Sequence, residues 1–161
     1  MQCAWTQRKR QRGLTTVEFA IISAAFFVVL FGVIEMGRAL FVVNTLTEAT
    51  RRAARMAAVC PVGDAAPASA AIFDNGNGGS SVVSGLTTGN VAIDYLDSNG
   101  NVLPNPTAAF GSINYVRAKI VGFTLPLVIP FVMPTLTLSG FQTIIPRESL
   151  GVPRSGAIQP C

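Results

Sequence analysis

The chain has 161 residues, 50% of them hydrophobic and only 12% charged, with Lys+Arg 12, Asp+Glu 8 and no histidine. An average soluble domain carries about 25% charged residues, so the composition argues against a freely soluble enzyme. Without histidine the commonest general base and the commonest transition-metal ligand are both excluded.

The net charge of +4 sits at the N-terminus, in Arg8, Lys9, Arg10 and Arg12, and beyond Leu14 the bases and acids are equal in number. A basic cluster beside an apolar stretch is first a membrane-topology signal, so no nucleic-acid role is expected. The apolar stretch is LTTVEFAIISAAFFVVLFGVI, Leu14 to Ile34, whose one charge is Glu18. Its length matches the roughly 20 residues that cross the hydrocarbon core as a helix. The four N-terminal bases predict a cytoplasmic N-terminus and an extracytoplasmic remainder. The competing reading, a cleaved secretory signal peptide, requires an uninterrupted apolar core of about 7–15 residues. Here the run is longer, and Thr15, Thr16 and Glu18 interrupt its start.

A basic leader ending in Gly13, an apolar segment starting at once, and Glu18-Phe19 at the fifth and sixth positions after the glycine resemble a prepilin processing site. More narrowly, the stretch from Arg12 to about Ala58, with Gly32, Glu35, Gly37 and Arg38 and an alanine- and arginine-rich continuation, resembles the TadE-like pseudopilins of the tight adherence, or Flp, pilus system. The resemblance implies cleavage after Gly13 by a membrane-embedded prepilin peptidase, with Leu14 as the new N-terminus. It further implies residence in the bacterial inner membrane, partnership with other pilins and the assembly platform, and a part in building an adhesive pilus. Glu18 and Phe19 would then serve peptidase recognition and subunit docking.

The physics of these residues is compatible with that reading. Gly13 tolerates the extended backbone that a protease needs, although a glycine at a helix edge is also ordinary helix termination. A carboxylate in the apolar layer is costly, by about 2.5–3.5 kcal/mol for Asp at a helix centre. The α-amino group created at Leu14 would lie about one helical turn from Glu18. The alternative is that Glu18 reaches the cytoplasmic interface by itself.

Beyond Ile34, apolar residues recur at three- and four-residue steps (Met36, Leu40, Val43, Leu46, Ala49, Ala53, Met56), and no proline precedes Pro61. This predicts that the helix continues to about Val59, supported by Glu35 with Arg38 and by Glu48 with Arg51 and Arg52. Arg51, Arg52 and Arg55 complement the helix dipole or, alternatively, meet anionic headgroups. Gly32 and Gly37 are five apart and do not form the Gly-x-x-x-Gly dimer pattern.

Pro, Gly, Ala, Asn and Ser dominate Pro61 to Ser81, which reads as a flexible linker. Val91–Leu96 followed by Asp97-Ser-Asn-Gly100 and Val102-Leu103 reads as a hairpin. Asp97, Asn99 and Asn101 have calcium-loop spacing, but Val102 stands at the glycine position and Ala108 at the glutamate position, so a turn is favoured. Ile113–Thr124 and Thr135–Ile145 alternate as half-solvated strands. Between them, Pro126 to Pro134 (PLVIPFVMP) is too short to span a membrane, and either packs back on the sheet or presents an apolar patch. Removing Cys3 with the leader would leave Cys60 and Cys161, an even pair suited to a disulfide in an oxidising compartment.

The expected organisation is a leader at 1–13, a long helix at 14–60 with its span at about 14–34, a linker at 61–81 and a small antiparallel β-rich domain at 82–161: an α+β fold. The residues assign no catalytic role, metal or cofactor, since no nucleophile-base pair or ligand cluster stands out. The alternative to a pseudopilin is an unprocessed, membrane-anchored extracytoplasmic binding module.

Overall fold

The computed structural model describes residues 12–74, 76–127, 135–153 and 157–161. Helix α1, Arg12–Val59, is unbroken over 48 residues, about 72 Å at 1.5 Å per residue. Its interior lacks proline, and it stops before Pro61, where the ring disfavours helical backbone at the preceding residue. Among the described residues it is one helix long and apolar enough to cross a membrane.

The second half of α1 carries the domain. Val42, Leu46, Ala49, Ala53 and Ala54 are buried in one cluster, and Ala57 and Ala58 in a second. Five of these seven are alanines, whose small side chains let the sheet approach the helix backbone closely. The buried face differs from the predicted stripe at its start: Met36 is 63% exposed and Leu40 is 56% exposed. Apolar periodicity cannot distinguish a face turned to lipid from one turned to protein.

The segment expected as a linker folds onto this face. Helix α2, Ala66–Ala71, has proline in its first turn, where the missing N–H costs nothing. Ala71 and the following Ile72 are fully buried against α1 and the β layer. Here burial of small apolar residues outweighs a composition that reads as flexible.

Five strands follow: β1 (Val91–Leu96), β2 (Tyr115–Ile120), β3 (Phe123–Pro126), β4 (Thr135–Leu138) and β5 (Gln142–Pro146). They form an antiparallel sheet ordered β1-β2-β5 and an antiparallel pair β3-β4. Val116, Ala118 and Ile120 bury one face of β2, while Arg117 and Lys119 point away. The predicted strand over Ile113–Thr124 is therefore two strands. The inward positions pass from 116, 118 and 120 to 123 and 125, and the one-residue slip falls at Val121-Gly122, where Gly122 adopts φ +65°. The second alternating run divides in the same way at Ser139-Gly140, giving β4 and β5.

On the solvent face, Asp94 lies opposite Arg117 and diagonal to Lys119. Its Oδ2 accepts from Arg117 Nη2 at 2.6 Å and lies 2.8 Å from Lys119 Nζ. Partial burial pushes the Asp94 carboxyl up, but these two cations outweigh it and hold the carboxyl below its ordinary value. The Asp97 turn closes as an Asx turn, its Oδ1 accepting the N–H groups of Asn99 and Asn101, both at 2.8 Å.

Candidate processing site and membrane junction

Four regions along α1 carry the residues of interest. Of the basic cluster, Arg8, Lys9 and Arg10 lie outside the described residues, and Arg12 is the first residue of α1. Gly13 and Leu14 occupy the first turn of the helix, whose N–H groups have no intrahelical partners. Glu18 and Phe19 follow on the exposed surface, with Phe19 71% exposed. From Thr15 to Ile34 no residue is buried, and Phe26, Phe27 and Phe31 stand in a row with ring centroids 5.7 and 6.1 Å apart. Large apolar side chains displayed on all sides of a helix suit lipid rather than water.

At the outer end of this run, Glu35 and Arg38 form an i,i+3 ion pair. The same Arg38 Nη2 also donates to the carbonyl of Pro126, the last residue of β3. Arg38 thus ties the end of the apolar run to the underside of the domain. This contact was not legible in the sequence, because a backbone carbonyl acceptor leaves no residue signature. Of the PLVIPFVMP segment, Pro126 is exposed and Leu127 is half-buried, and 128–134 lie outside the described residues.

Farther along, Arg52 departs from its expected pairing. Its guanidinium lies 4.2 Å from the centroid of the Phe73 ring, a cation–π contact that fastens the chain after α2 to α1. Among the described residues, Glu48 forms no ion pair with Arg51 or Arg52.

The far end of α1 is tied down by the C-terminal segment. Glu148 and Leu150 N–H donate to the Ala58 carbonyl, and Gly151 N–H donates to the Val59 carbonyl. These bonds satisfy helix-end acceptors that would otherwise be orphaned. Gly151 has φ +78°, and a Cβ there would meet Pro61 Cγ at 2.5 Å, so glycine is required on both counts. Cys60 and Cys161 form a disulfide across a sequence separation of 101, with Cα atoms 5.7 Å apart. Cys161 N–H also donates to Asp64 Oδ2 at 2.9 Å. The N–H groups of Ala66 and Cys161 hold the Asp64 carboxyl below its ordinary value.

The described residues contain no group of three or more His, Cys, Asp or Glu side chains placed to hold a metal ion. No curated protein and no solved structure matches the chain. Residues 13–55, from the glycine that precedes the apolar run to the arginine-rich turns of α1, match the TadE-like protein family, the same family that the N-terminal residues resemble.

Proposed function

We propose that the chain is a pseudopilin, or minor pilin, that contributes to assembly of an adhesive Flp-type pilus after prepilin-peptidase cleavage following Gly13. The observation that carries this reading is the TadE-like match beginning at Gly13, on a helix whose first part has no buried residue from Thr15 to Ile34 and whose second part bears a β domain. In this reading, Arg8, Lys9, Arg10 and Arg12 hold the N-terminus in the cytoplasm. The helix anchors the chain in the bacterial inner membrane, and the domain lies outside, where the Cys60–Cys161 bond persists.

Cleavage suits the local physics. The bond between Gly13 and Leu14 lies in the first helical turn, so opening it sacrifices few backbone hydrogen bonds, and Gly13 imposes no side-chain barrier to an extended conformation. The freed α-amino group of Leu14, on this subunit or a neighbour, offers a partner for Glu18, and Phe19 adds apolar surface beside it. The work is structural. Partners are the peptidase, other pilins, the membrane platform and lipid, and the mechanism uses no bound cofactor or nucleic acid.

Deleting the protein from a pilus-forming bacterium that encodes it tests the function. Surface pili and tight adherence should fall, and be restored by the wild-type chain. Parental numbers of pili without the protein would contradict the proposal.

A further inference from the structure

The domain sits on α1 with little helix between it and the end of the apolar run. The run ends at Ile34, and a hydrocarbon core about 30 Å thick accommodates about 20 helical residues, with roughly 5–7 Å of headgroup region beyond. Four residues from Ile34 to Arg38 rise only about 6 Å. Arg38 therefore stands within the headgroup layer, and it is already bonded to Pro126 of the domain.

Around it lies a largely apolar groove of about 230 Å³, whose lining includes Arg38, Phe41, Val82, Ser84, Leu125 and Pro126. Phe41 is 55% exposed and Val82 is 43% exposed, although both belong to the part of the molecule that carries the folded domain. This apolar surface is continuous with the exposed surface of α1, through Arg38 and Phe41 on the helix itself.

We infer that the underside of the domain, Phe41 with Val82 and the rim at Ser84 and Pro126, is a second membrane contact, seated on the acyl-chain and glycerol region of the outer leaflet of the bilayer that α1 crosses. The inference rests on the membrane-spanning reading of α1. Its occupant is lipid because the surface meets the span where the headgroups must be, and because Glu35 neutralises Arg38 on the spot. With the cation paired, the contact is apolar in character and does not require anionic lipid. Seating the domain this way buries Phe41 and Val82 from water and limits the tilt of the domain relative to the membrane.

Tryptophan scanning in proteoliposomes tests this. The full chain carrying Trp5→Phe receives one new tryptophan at a time, in vesicles of phosphatidylcholine with or without brominated acyl chains. Phe27→Trp reports the span, Val82→Trp and Ser84→Trp report the underside, and Val102→Trp is the control. Val102 is 48% exposed, similar to Val82. It lies beside Leu103, which packs against the cluster that contains Ala57 and Ala58, residues about 28 Å farther along α1 than Arg38. Emission at Phe27→Trp and at Val82→Trp or Ser84→Trp should be lost in brominated vesicles, while Val102→Trp keeps its emission. The two underside probes guard against one substitution failing to fold. Quenching at Phe27→Trp alone overturns the second contact and leaves the span standing, as does protection of the underside by a neighbouring subunit. Quenching at no position overturns the span and the inference together.

Discussion

The two halves of α1 have the same backbone and opposite rules for their side chains. Between Thr15 and Ile34 the phenylalanines, valines, leucines and isoleucines face outward and nothing is buried. Between Val42 and Ala58 the most deeply buried positions are largely alanines, with Leu46 the one large aliphatic chain at 0% exposure. In a water-soluble helix the large apolar residues would be inside. An outward display of apolar area in the first half suits a helix that crosses a membrane, whereas in the second half close approach of the sheet rewards small side chains. The change of rule falls at Glu35 and Arg38, where the helix also makes its first tie to the domain.

The contrast can be broken by perturbing each half in turn. The largest effect is expected from the bond that closes the far end of the packed half. Cys161→Ser, or reduction of the disulfide, should destabilise the domain by about 2–5 kcal/mol, read from denaturant midpoints of the detergent-solubilised protein. An unchanged midpoint would mean that the helix-end hydrogen bonds suffice without the staple.

Next, Leu46→Ala should cost about 3–4 kcal/mol by leaving a cavity in the main cluster, whereas Phe27→Ala should alter domain stability by no more than about 0.5 kcal/mol. Equal losses in the two variants would show that the halves are not distinct.

The smallest effect belongs to the sheet surface. Because the folded pKa of Asp94 lies below its ordinary value, its stabilisation is complete above the unfolded pKa of about 3.9 and disappears as pH falls through the folded value. The pair is partly exposed, so its worth is about 1 kcal/mol at most. The stability gap between wild type and Asp94→Asn should thus be open near neutral pH and close in acid. A gap that widens on acidification would contradict the assigned ion pairs.

How much of this was legible in the sequence differs by element. The extent of α1 follows from unbroken helical periodicity up to Pro61, and β1 from a β-rich run closed by an Asp-Ser-Asn-Gly turn. The split between β2 and β3 has a sequence signal, the slip in alternation across Gly122, although the composition on either side is that of one continuous strand. Helix α2 also left a trace, a proline in the first turn of an alanine-rich stretch, masked by the surrounding linker-like composition. Which apolar residues stay exposed was not legible, since Met36 and Leu40 are as hydrophobic as the residues buried later. At the candidate site, Gly13, Glu18 and Phe19 were recognisable as a pattern. The tie between Arg38 and Pro126 and the capping of α1 by Glu148, Leu150 and Gly151 use backbone groups of distant segments, which side-chain identities do not encode.

The most direct measurement for the account is the intact mass and N-terminal residue of the protein recovered from membranes, with and without a co-expressed prepilin peptidase. A processed pseudopilin should start at Leu14, and only when the peptidase is present. A leader retained under both conditions would contradict it and favour an uncleaved, membrane-anchored binding module.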